Sequence, residues 1–273
     1  MLELKAVEFL KELLGSYSPS GFEQEATRVF KDYCSKFAIE EFTDKMGNVA
    51  FKVGSGSKKV MISAHIDELG MMIQNVTDQG MLNIINLGKN RFASKGLDDK
   101  IGVFIVAEVL RNVVNYEAFK ELFDEYTFYG VANTQEEVGL RGAMVTSKRV
   151  NPDISIDIDV TFATDEGRGI KPESYGDIEL GKGPVIMNGP DKSWNLRCKM
   201  IGVAEINEIP YQLAASYAGG TNTSAIQEGA FDCETMLVSI PQRNMHTQVE
   251  VCDYRDVEGA INLISKTLLE ITK

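Results

Sequence analysis

The stretch TQEEVGLRGA (residues 134–143), where an apolar strand runs into two consecutive carboxylates and then turns on glycines, constrains this chain most. Adjacent glutamates at a strand end repel each other unless a cation lies between them or one holds a proton. Glu136 and Glu137 therefore ask for a metal or a shifted pKa. Taken alone, such a pair is ordinarily two solvated loop residues, so the rest of the chain decides between the two readings.

The chain has 273 residues, enough for one large α/β domain or two small ones with a substantial core. A net charge of −12 argues against nucleic acid and anionic membrane as partners and leaves room for cations. Cys34, Cys198, Cys233 and Cys252 are scattered without a CxxC pair, which predicts reduced thiols and a cytoplasmic location. The first residues show apolar positions at helical spacing between charges, a surface helix in place of a secretory leader. No uncharged run is long enough for a membrane span.

Further along, Ser20 and Glu23 stand at capping-box spacing ahead of an amphipathic helix over 26–37. Residues 40–53 read as a hairpin turning at Met46-Gly-Asn48. Residues 59–64 form a buried-type apolar strand ending at His65. A histidine two residues before Asp67 at the C-terminal edge of such a strand lies where α/β sheets collect ligands, and Asp67 could fix its tautomer. A second hairpin is predicted within 70–87, turning at 77–80.

The next cluster, LDDKIG (residues 97–102), puts Asp98 and Asp99 just ahead of a helix over 103–114. One reading is a helix cap with a first-turn acid; the other is a carboxylate that bridges two metal ions. A strand over 125–132 leads into Glu136 and Glu137, and a short helix is expected over 140–148. In the strand over 153–160, Asp157 and Asp159 share one face, an unusual placement for acids inside a sheet. Alternating helices and strands over 192–240 favour one doubly covered sheet. His246 precedes a C-terminal amphipathic helix from about 254.

His65, Asp98, Glu137, Asp159 and His246, with Glu136 beside them, make a ligand set for two metals. Mixed nitrogen and carboxylate donors suit zinc or cobalt better than magnesium. The motifs AHIDELG, LDDKIG, TQEEVGLRGA, IDVTFATD, GKGPVI and PQRNMHTQVE, in that order, resemble those of the TET-type aminopeptidases. This is the glutamyl and deblocking aminopeptidase family, some of whose members carry the name endoglucanase or cellulase M. The resemblance implies an α/β fold with a three-layer α/β/α mixed sheet, the phosphorylase/hydrolase-like fold of zinc exopeptidases. It implies two divalent ions, zinc or cobalt, with Asp98 as the bridging carboxylate. His65 and Asp159 would complete one site, and Glu137 and His246 the other. Glu136 matches the general base, Asp67 the carboxylate that orients His65, and the Asp98–Asp99 peptide would be cis. The implied activity is hydrolysis of the N-terminal bond of peptides.

Most relatives carry an inserted β-rich dimerisation domain between the HxDE and DD motifs. Here about 30 residues separate Asp67 from Asp98. The expectation is a single catalytic domain over 1–273, with a short hairpin and connection at 70–94 and a monomer or small homo-oligomer in place of the dodecamer. Asn222 and Asn244 also depart from the family pattern, so the substrate wall is this chain's own. A metal-dependent deacylase or carboxypeptidase on the same centre is the alternative reading. A glycosidase would leave both histidines without a role, and a silent binding protein would normally have lost a ligand.

Overall fold

The computed structural model describes residues 3–38, 40–69, 90–165, 172–215 and 220–272. In chain order the elements are α1 (Leu4–Gly15), α2 (Gln24–Cys34), β1 (Glu40–Thr43), β2 (Val49–Val53), β3 (Lys58–His65), β4 (Arg91–Ser94), α3 (Leu97–Asn115), α4 (Glu117–Lys120), β5 (Tyr126–Asn133), α5 (Arg141–Val150), β6 (Ile154–Phe162), α6 (Pro172–Tyr175), β7 (Val185–Asn188), α7 (Trp194–Ile206), β8 (Gln212–Ala215), α8 (Asn222–Gly229), β9 (Glu234–Gln242), β10 (Glu250–Asp253) and α9 (Tyr254–Ile271).

Eight strands form one mixed sheet in the order β1-β2-β5-β3-β6-β9-β7-β8. Its centre, β5-β3-β6-β9, is parallel, so four chain segments leave the sheet at the same edge. The expected first hairpin is present as antiparallel β1 and β2. The hairpin expected within 70–87 lies outside the described residues.

Both faces of the sheet are covered, and the period-2 alternation of its strands shows why. On β3, Val60, Ile62 and Ala64 point into the main core with α1, α2, α3 and α9, whereas Met61 packs on the opposite side with Ala143 of α5 and Ile226 of α8. Helix α3 lies at the centre of the first layer. Its residues 103–107 are all fully buried, as a helix apolar on every side must be. On β6, Ile156 and Ile158 enter the main core, so Asp157 and Asp159 share the other face, the one covered by α5 and α8. That expectation holds, but β6 continues to Phe162, which makes Asp159 an interior residue of the strand.

A separate two-stranded ribbon pairs β10 with β4, placing Glu250 opposite Ser94. The chain enters α3 from β4 and enters β10 from the His246 loop, so this ribbon brings the two ends of the molecule's acidic cluster together.

The expected capping box does not form. The N-cap of α2 is Glu23 with no side-chain cap, and its carboxylate accepts the N–H of Gly21 instead. The Ser20 hydroxyl donates to Asp67 at 2.6 Å. A tertiary acceptor has displaced the local one.

Candidate metal centre

His65 is the last residue of β3, opposite Asn133 at the end of β5. Beyond Asn133 the chain makes a tight loop with Gln135 at φ 56 and Gly142 N–H returning to the Thr134 carbonyl at 3.0 Å. Asn48, from the β1–β2 turn, accepts the Thr134 N–H at 2.7 Å. A Cβ on Gly142 would lie 2.3 Å from both Asn48 Oδ1 and the Thr134 carbonyl, so the glycine is required by close approach. Within this loop Asp67 accepts the main-chain N–H of Glu136 at 2.9 Å and of Glu137 at 3.2 Å. The carboxylate after β3 thereby holds the glutamate pair after β5.

At the start of α3, Asp98 and Asp99 have non-helical backbone angles and are joined by a cis peptide bond. The two aspartates divide the two readings of the pair. Asp99 accepts the Gly102 N–H at 3.1 Å, a cap for the regular helix, and the His65 N–H at 3.3 Å. Asp98 turns the other way, toward both histidines. Its Oδ1 is 3.1 Å from His65 Nε2 and its Oδ2 is 3.0 Å from His246 Nε2. Asp159 Oδ1 lies 3.9 Å from His65 Nε2, and Glu137 Oε2 lies 3.9 Å from His246 Nε2. His65 Nδ1 is 3.1 Å from the Asp67 carbonyl oxygen and 3.4 Å from its carboxylate.

The structure thus brings together all seven residues singled out in the sequence: His65, Asp67, Asp98, Glu136, Glu137, Asp159 and His246. They converge at the C-terminal edge of the parallel strands, and all but Asp67 line a cavity of ≈ 730 Å³. A second cavity, of ≈ 660 Å³, meets the first at Asp98, Glu137 and His246.

Negative charge is in surplus here. Burial, with Asp159, Glu137 and Asp98 nearby, pushes the Glu136 carboxyl up to about 8. Burial and Asp98 push Glu137 up to about 7, and burial and Asp98 do the same for Asp159. The hydrogen bond to Asp98 raises His246 to about 9. Burial opposes the charging of His65, but Glu136, Asp67 and Asp98 outweigh it and hold the imidazole well above its ordinary value. Several buried acids beside two histidines give the site a chemistry that divalent cations would complement.

The donor set fits metal ions. His65, Asp98 and Glu137 bring ligand atoms within 4.8 Å of one another, and so do His65, Glu136 and Asp159. Glu137 Oε1 is buried and has no hydrogen-bond partner among the described residues, an uncompensated acceptor that a cation would satisfy.

Several supporting contacts were not predicted from the sequence. Lys100, fully buried, donates to the Ser16 carbonyl at 2.8 Å and pairs with Glu68 at 3.1 Å, tying the HIDE segment to the DD segment. Asp157, which burial pushes up to about 8, accepts from Ser63 and Thr223, joining β3, β6 and α8. Ser20 holds Asp67, and Glu250 holds the main chain of both Asp98 and His246. Only adjacency to a recognised motif could have flagged Glu68 and Lys100, whereas strand alternation had already marked Asp157 as an unusual acid.

Comparison with known proteins bears on the identity of this centre. The chain is 29% identical over 351 residues to the lysyl aminopeptidase of Pyrococcus furiosus, covering 97% of each. That alignment is longer than this chain, so the relative has residues that are lacking here. A TET aminopeptidase from a marine-sediment Thaumarchaeota archaeon superposes with a TM-score of 0.82 at 25% identity, over 98% of this chain and 99% of its own. PhTET1-12s, a dodecamer, has the same fold at 23% identity, with a TM-score of 0.80 over 97% of this chain and 98% of its own. The expected monomer or small oligomer finds no support in that comparison. Among the described residues no helix is long and apolar enough to cross a membrane. The model of the M42 glutamyl aminopeptidases matches residues 47–91 and 83–263. With that match over most of its length, the chain belongs to the M42 glutamyl aminopeptidase family of metallo-aminopeptidases.

Proposed function

We propose that this chain hydrolyses the N-terminal peptide bond of peptides at a centre of two divalent ions, zinc or cobalt, in the cytoplasm. The observation that carries the proposal is Asp98, whose two carboxylate oxygens each face a different histidine at 3.0–3.1 Å. Asp98 would bridge the ions. His65 and Asp159 would complete one site, and His246 and Glu137 the other. Bound there, the ions would supply Lewis acidity, lowering the pKa of water and stabilising negative charge on the substrate oxygen.

Glu136 does the proton work in this reading. Its main chain is held by Asp67, and its carboxylate lines the same cavity as the proposed ligands with no hydrogen-bond partner among the described residues. A carboxylate so placed takes a proton from the attacking water and returns it to the leaving amine. Asp67 orients this base through the Glu136 and Glu137 N–H groups, and it also orients His65. Apolar residues that line the cavity, among them Phe162, Met187 and Leu237, would receive the first side chain of the substrate. With a short segment at 70–94 in place of an inserted domain, this catalytic domain would form its substrate wall from its own residues.

The test is a chelated and reconstituted enzyme assayed on aminoacyl, N-acyl, C-terminal peptide and oligosaccharide substrates. The proposal expects turnover of aminoacyl substrates only, lost on chelation and regained with zinc or cobalt. Turnover confined to N-acyl or C-terminal substrates would overturn it.

A further inference from the structure

Two histidines serve the centre, but they are held in different ways. His65 is almost fully buried at the end of a central strand. The His246 side chain is 48% exposed, on a loop between β9 and β10, and its backbone adopts φ 63, a left-handed conformation unusual for a side chain of this size. Little packing therefore fixes His246.

Glu250 supplies what packing does not. It is 2% exposed, and its two oxygens are divided between two main-chain donors. Oε1 accepts the His246 N–H at 2.9 Å, and Oε2 accepts the Asp98 N–H at 3.1 Å. One carboxylate thus ties the backbone of the residue facing both histidines to the backbone of the less supported histidine. Its own position is fixed by the β10–β4 ribbon, where it lies opposite Ser94, four residues ahead of Asp98.

We infer that Glu250 is a positioning residue that sets the spacing of Asp98 and His246, and so selectively determines affinity for the ion held by Asp98, His246 and Glu137. The inference rests on the dimetal reading above. Groups that orient metal ligands typically change affinity by 10–100-fold on removal. In Glu250→Gln, the amide oxygen accepts one of the two N–H groups and the amide nitrogen opposes the other.

Cobalt titration of the metal-free protein, followed by calorimetry and visible absorption, tests this. The wild type is expected to bind two ions. Glu250→Gln should bind the ion at His246 about 10–100-fold more weakly, and the ion at His65, which shares only Asp98 with it, should be weakened much less. At limiting cobalt its kcat should fall with KM unchanged, and saturating cobalt should restore it. Glu250→Ala should show the same pattern more strongly, and if it does not fold, Glu250→Gln decides. Equal weakening of both ions, or wild-type affinity for both, would overturn the inference. A wild type that binds fewer than two ions would instead defeat the dimetal reading.

Discussion

Asp67 and Glu136 are joined across 69 positions of sequence by a hydrogen bond of 2.9 Å, from the Glu136 main-chain N–H to Asp67 Oδ1. A carboxylate that follows one parallel strand thereby sets the exit of the next. Asp67→Asn keeps one acceptor oxygen for two N–H donors and places an amide against the others. It should lower kcat about 10–100-fold, with weaker metal binding at His65. Steady-state kinetics and metal analysis of the same preparation check both effects.

Glu136 is held through its main chain, and among the described residues its carboxylate has no hydrogen-bond partner that a substitution would remove. Glu136→Gln should therefore leave metal content and thermal stability near wild type while lowering kcat by roughly 100-fold or more. Full activity in the variant would remove Glu136 from the mechanism.

The Lys100–Glu68 pair is buried on both sides. Desolvation holds the Lys100 ammonium below its usual range, although Glu68 supports its charge. Breaking a buried pair from one side costs about 3–5 kcal/mol, and here the half-exposed Lys95, 3.3 Å from Glu68, is the cation left to Glu68. Lys100→Met should be destabilised by about that amount in urea unfolding, whereas Lys100→Met combined with Glu68→Gln should recover much of it. A double variant no more stable than the single one would contradict the pairing.

Stability without metal should fall as pH rises. Glu136, Glu137 and Asp159 have folded-state pKa values of about 8, 7 and 7, above the ordinary carboxylate range, so from about pH 4 upward the folded state keeps protons that the unfolded chain has lost. Raised His246 and His65 act in the same direction above their ordinary value, and the stability that His246 contributes is lost on approach to pH 9. Asp98, held down to about 2, opposes this only in stronger acid. Unfolding of chelated protein should therefore show stability declining from pH 5 to pH 9. Divalent ions should restore most at the alkaline end, with proton release on binding near neutral pH. A metal-free protein that becomes more stable toward pH 9 would refute this.

Much of the centre was legible in the residues themselves. A histidine, paired aspartates, paired glutamates and a second histidine, each beside a turn or strand end, declare their chemistry locally. The alternation of β3 and β6 likewise predicts which side chains share a face, so the common face of Asp157 and Asp159 follows from a period of two. The local rule failed at Ser20, where a capping pattern was present but Asp67 offered a better acceptor.

The amino-acid sequence by itself determined the types and order of the candidate site residues, the element types and the doubly covered sheet, because these depend on neighbours within a few residues. The tertiary structure alone decided which acids meet. Asp98 and Asp99 are adjacent in the chain yet face different partners, and Glu250 reaches Asp98 across 152 positions. Strand order, the β10–β4 ribbon and the burial of Lys100 against Glu68 depend on long-range packing of the whole chain. No local periodicity carries that information, since hydrophobic pattern states which face is buried but not what lies against it.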